Sequence, residues 1–185
     1  MDMNPTPMRT NGVDVAALEA TVRAVMAAPE LAAFRFRATN RWLGGDRNRS
    51  TMDGFAGAGG EHAHATTFEL DNAEPPVLLG ADAAPNPVEY VLHALAGCLT
   101  TTMVYHAAAR GIAVDAIDTA LEGDLDLRGF LGLDPAVRPG FGAIRVRMRV
   151  AAAADADTLR TLSHHSPVYD IVSRSVPVEV TVDMV

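Results

Sequence analysis

The sequence holds no lysine, and all fifteen of its basic residues are arginine. GC-rich codon usage is the simplest source of that bias, and no function is read from it. Cysteine is nearly absent too. Cys98 is the single one, which excludes an intramolecular disulfide or a cysteine-based zinc cluster and fits a reducing, cytoplasmic setting. The opening MDMNPTPMRTNG does not join a basic segment to an apolar run, so no secretory leader is expected. No uncharged apolar run approaches the roughly 18 residues of a membrane span. The Gly57–Gly60 stretch, GAGG, lacks the Lys-Ser/Thr of a phosphate-binding loop and the strand-to-helix setting of a dinucleotide site, so no cofactor is expected. A net charge of −8 and a pI near 5.1 argue against nucleic acid as a partner. What is present is an ordinary globular mixture, 49% hydrophobic and 21% charged over 185 residues, enough for one core.

Residues 1–12 read as a loose tail. Asp14 is placed to cap a helix running to about Ala28, with Val15, Leu18, Val22, Val25 and Met26 on one side and Pro29 ending it. Three strand-like segments follow, 33–43, 49–56 and 63–71, separated by Gly44–Asp46 and Gly57–Gly60, and predict an antiparallel meander. A proline-rich loop over 71–87 leads to PVEYVLHALAGCLTTTMVYHAAARG at 87–111. Asn86 suits its N-cap, Pro87 its first turn and Gly111 its left-handed end. The helix is apolar or small nearly all round, which predicts burial on several faces. Strands are expected at 112–127 and 143–151, where Ile144, Val146, Met148 and Val150 alternate with Arg145, Arg147 and Arg149. Short helices are expected at 155–163 and 166–173. A last strand is expected over Val176–Val182.

The stretch PNPVEYVLHALAGCLTTTMVYHAAARGI, residues 85–112, resembles the first-cysteine helix of the OsmC/Ohr family of thiol-dependent hydroperoxide reductases. It shares the Pro-x-Glu start, the apolar run and the Ala-Gly-Cys. The order of elements is similar as well, over roughly 33–185, with residues 1–32 as an added tail and helix. The resemblance implies an α+β fold whose antiparallel sheets wrap a long central helix, in an interlocked homodimer with active sites at the subunit interface. It also implies that Cys98 attacks a hydroperoxide, that Glu89 is the helix-start carboxylate, and that Arg47 or Arg49 of the hairpin WLGGDRNRST is the cation holding the thiolate. The family's second cysteine stands before a proline, and here that position is Ser166. A hydroxyl cannot condense with a sulfenic acid into a disulfide, so turnover would need an external thiol reductant.

From the residues alone, a cysteine in an apolar helix is usually an inert small hydrophobe unless a neighbouring guanidinium stabilises its charge. Glu89 precedes Cys98 by nine residues, about 900° of ideal helix, which puts the two on opposite faces unless the helix is irregular. Val91, Ala94, Leu95, Thr101, Thr102 and Tyr105 lie near Cys98 on the wheel. Such a wall suits an organic substrate, with Thr101, Thr102 and Tyr105 as substrate contacts, or it is plain helix packing. His62 with His64, and His164 with His165, lack a third ligand at convincing spacing and read as solvated surface residues; no metal is expected. His93 and His106 read as core or interface residues, and Ser166 as a helix cap. Two functions stay open: a one-cysteine organic hydroperoxide reductase, and a non-catalytic dimer binding a small apolar ligand at its interface.

Overall fold

The structure, a computed structural model, describes residues 9–182 and Met184. Of the expected tail, residues 1–8 lie outside the described residues. Its end is not loose. Arg9–Thr10 (β1) and Val13–Asp14 (β2) pair around Asn11 and Gly12, whose φ values of 55° and 80° make a tight two-residue turn. Asp14 then caps α1 (Val15–Ala27), its carboxylate accepting the Ala17 amide at 2.9 Å.

The chain divides into two compact units, one spanning Asp14–Val91 and the other joining Thr10–Val13 to residues from Leu92 onward. The first unit holds α1 and a four-stranded antiparallel sheet of β3 (Arg35–Phe36), β4 (Thr39–Gly44), β5 (Arg47–Gly57) and β6 (Gly60–Asn72). The expected first strand of the meander is split in two. β3 and β4 pair with successive parts of β5, and between them Arg37 and Ala38 face Met52, Asp53 and Gly54. That unequal count is a bulge, which breaks the ladder. The β5–β6 turn places Ala58 and Gly59 at φ 47° and 79°, the left-handed pair of a tight hairpin.

The long helix α2 (Pro87–Ala108) forms as expected. Asn86 Oδ1 accepts the Val88 amide at 2.9 Å, and the Glu89 carboxylate accepts the Asn86 amide at 2.8 Å, a reciprocal capping box. Gly111 at φ 68° closes the far end. Burial on several faces does not occur within the chain. Leu95, Leu99, Met103 and Ala107, four apart, form one buried stripe, joined by Ala108. A helix buries only what its own chain covers, and the sequence pattern could not say how much surface one chain supplies.

In the second unit β7 (Val114–Asp124) and β8 (Ala143–Ala152) form an antiparallel hairpin, with a short helix α3 (Leu127–Phe130) in the connection. The asparagine of the N-terminal turn holds the start of β7: Asn11 donates to the Ile112 carbonyl and accepts the Val114 amide, both at 2.9 Å. α4 (Ala156–Ser163) is capped by Asp155, and α5 (Pro167–Arg174) by Ser166. Leu159 and Leu162 of α4 are buried in the same unit as the α2 stripe. The expected closing strand is absent. Residues 176–182 have no strand structure, and their valines are 53–80% exposed. Alternation makes a strand only where a sheet edge accepts it, and within the described chain none does.

Candidate active site

The cationic part of the expected site is built on β5. Antiparallel register sets Arg49 directly across from Asp71 on β6 and from Arg41 on β4. Arg49 grips Asp71 in a two-pronged pair, Nε to Oδ1 at 2.5 Å and Nη2 to Oδ2 at 2.9 Å, and its Nη1 reaches Glu69 at 3.3 Å. The hydrogen bond from Arg49 holds the Asp71 carboxyl below its ordinary pKa, and the same bond raises that of Arg49. Tyr90, in the first turn of α2, donates its hydroxyl to the Asp71 carbonyl at 2.9 Å. Arg49, Asp71 and Tyr90 thus tie the sheet to the start of α2. A groove of about 480 Å³ opens on this face, lined by Thr39, Arg41, Leu43, Arg49, Thr51 and Glu69 among others. Arg47 is different. Its side chain is exposed and forms no side-chain hydrogen bond or close ion pair among the described residues, though its charge acts on the Asp46 and Asp71 carboxylates.

Glu89 is drawn into the capping box rather than toward a cation. Because α2 is unbroken from Pro87 to Ala108, the nine positions to Cys98 correspond to about 13.5 Å of rise and opposite helix faces. Within one helix the two side chains do not meet.

Cys98 is a free, half-buried thiol. Of its neighbours on the wheel, Leu95 turns into the buried stripe. Val91 and Tyr105 are 39% and 48% exposed, Ala94, Gly97 and Thr101 are exposed, and Thr102 is half-buried. The thiol therefore borders a face of α2 that its own unit leaves open, lined by small and hydroxylated residues.

Ser166, expected at the position of the family's second cysteine, is 1% exposed and accepts the Tyr169 amide at 3.1 Å. Its hydroxyl is committed to capping α5. The paired histidines lie at the surface as expected, His62, His164 and His165 exposed and His64 half-buried, and each also packs on a ring. His62 stacks on Phe55 at 5.1 Å, His64 packs against Phe55 and Phe68, His164 stacks on Tyr169 at 4.9 Å and His165 on His106 at 4.5 Å. Of these contacts only that of His165 with His106 joins residues distant in sequence. Among the described residues no group of three His, Cys, Asp or Glu side chains is placed to hold a metal ion.

The sequence reading missed Asp71, Tyr90 and Glu69. Asp71 carried one signal, its place at the end of the strand paired with the arginine strand, but only the register brings the two together.

A profile of the OsmC-like protein family matches residues 80–181, more than half of the chain. The chain belongs to the OsmC-like protein family. The matched segment includes Glu89, Cys98 and Ser166, while Arg47 and Arg49 lie ahead of it. Among solved structures, this OsmC-like chain is similar to an OsmC-like protein from Mycoplasma pneumoniae, with a TM-score of 0.57 and 12% identity over 76% of this chain and 89% of that one. It is also similar to an OsmC-like protein of unknown function from Vibrio cholerae O1, with a TM-score of 0.51 and 15% identity over 78% and 95%. At these identities the likeness concerns the fold. No curated protein matches the sequence. No helix among the described residues is long and apolar enough to cross a membrane.

Proposed function

We propose that this OsmC-like protein is a homodimeric, cytoplasmic organic hydroperoxide reductase that works through Cys98 alone and draws its electrons from an external thiol. The observation that carries the reading is the position of Cys98: the one thiol of the chain, reachable from an uncovered face, on the helix that the family profile matches. The Cys98 thiolate attacks the terminal oxygen of ROOH, the O–O bond breaks, and sulfur keeps one oxygen as sulfenic acid while the alkoxide leaves and takes a proton as ROH. A thiol R′SH then condenses with the sulfenic acid, water departs, and a second thiolate releases R′–S–S–R′ and restores Cys98. No intramolecular step is available, because Ser166 is a buried cap.

The cation comes from the β5 arginines, reaching Cys98 across the boundary between two copies. Arg49 is already bonded to Asp71 and Glu69, whereas the Arg47 side chain is exposed and feels Asp46 and Asp71 only at longer range, so Arg47 is assigned as thiolate partner and Arg49 as part of the peroxide-facing wall. Glu89 holds the start of α2, and Thr101, Thr102 and Tyr105 face the organic group. The alternative, a non-catalytic dimer with an apolar ligand at this interface, is favoured by the lack of any hydrogen bond to the Cys98 sulfur among the described residues. The rate of alkylation at neutral pH separates the two. Catalysis predicts that native Cys98 is alkylated much faster than an ordinary thiol and that Arg47→Gln slows it. A native thiol no faster than an ordinary one, unmoved by Arg47→Gln and Arg49→Gln alike, would leave the binding reading.

A further inference from the structure

A cavity of about 440 Å³ lies in the second unit, within the roughly 300–1,000 Å³ of small-molecule sites. Its lining is sharply divided. One side is hydrocarbon: the buried Leu99 and Met103 from α2 and Leu159 of α4, with Met148 and Val150 half-buried and Val146 exposed on β8. Every polar group comes from the ten residues 160–169: Arg160, Ser163, His164 and Tyr169. His164 and Tyr169 lie face to face, 4.9 Å apart and 6° from parallel, and make one rigid wall of the polar end. Ser163 points its hydroxyl at the Arg160 carbonyl, 2.8 Å away. Arg160 forms an ion pair with Asp157 at 2.9 Å through one terminal nitrogen, at a side-chain exposure of 66%, which leaves further guanidinium donors.

We propose that this cavity binds a linear aliphatic carboxylate, its chain among the methionines and valines and its carboxylate at Arg160 and His164. The occupant is chosen by the division itself. A wholly apolar guest would make no use of the Arg160 donors left beyond the pair with Asp157, and a small polar one would leave the hydrocarbon end wet. A carboxylate matches the one cationic residue of the lining and accepts the fork of donors that arginine offers. The site is separate from Cys98, which is not part of the lining; Met103, five positions on, stands about 140° round the helix from the thiol. The proposal therefore does not depend on the peroxidase reading.

Titration of the full-length protein with dodecanoate and with dodecanol, followed by calorimetry, tests it. Saturable binding of about one dodecanoate per chain is expected, with dodecanol at least ten-fold weaker. Arg160→Gln should weaken dodecanoate at least ten-fold and leave dodecanol unchanged, and Met148→Trp, which fills the cavity, should weaken both. Cys98→Ser should bind as the native chain does, so that a failed peroxidase and a failed cavity are told apart. Circular dichroism confirms that each variant is folded, and a second filling variant, Val150→Phe, replaces Met148→Trp if that chain unfolds. Dodecanoate binding unchanged in folded Arg160→Gln and in the folded filling variant, or dodecanol bound as tightly as dodecanoate, overturns the proposal.

Discussion

Single side chains in this protein are mostly held by local partners, and those partners limit what each can do. Ser166, proposed to stand at the resolving position, spends its oxygen on the Tyr169 amide while almost wholly buried. Ser166→Ala should cost about 1 kcal/mol of stability, a typical N-cap loss, and leave the peroxide-consuming rate unchanged. Chemical denaturation alongside a turnover assay checks both, and a lost turnover in a folded variant would give the hydroxyl a chemical part. His106 is a second case. Burial first, then the nearby His165 and Arg110, lower its pKa below 6.5. The unfolded chain therefore binds a proton more readily than the folded one. The His106 contribution is intact above about pH 6.5 and is lost as pH falls through the lower folded value. His106→Gln should flatten the decline of the melting temperature between pH 7 and 5; an equally steep decline in the variant contradicts the assignment.

At the scale of elements, punctuation in the sequence was a reliable guide and pairing was not. Asp14, Asn86, Asp155 and Ser166 announce four helices because a cap is a contact between residues two or three apart. The hairpin turns at Gly44–Asp46 and Gly57–Gly60 were legible for the same reason. What depends on distant partners was not. The bulge that parts β3 from β4 is set by an unequal count on β5, and the missing strand at 176–182 by the lack of an accepting edge. The site divides along the same line. Cys98, Glu89 and Ser166 stand on or cap helices whose ends the sequence punctuates; the Asp71 that fixes Arg49 appears only once β5 and β6 are in register.

For the whole molecule, the described chain leaves much apolar surface open. No residue of α1 is buried, Val176, Val178, Val180 and Val182 stand exposed, and the Cys98 side of α2 is uncovered. Of these, the open Cys98 side of α2 is the proposed contact between two copies. A second copy laid on α2 would cover Ala94, Gly97 and Thr101, whose small side chains permit close approach. Sedimentation should show a dimer at micromolar concentration, and Thr101→Arg should shift it to monomer and abolish peroxide turnover together. A native chain that sediments as a monomer would remove the shared site, and with it the assigned role of Arg47.

The central claim is that the Cys98 sulfur performs the chemistry. Consumption of cumene hydroperoxide by the purified protein with excess dithiothreitol, set against Cys98→Ser under the same conditions, tests it directly. The account predicts turnover above the dithiol background for the native chain and none for the variant. Equal rates for the two would contradict it.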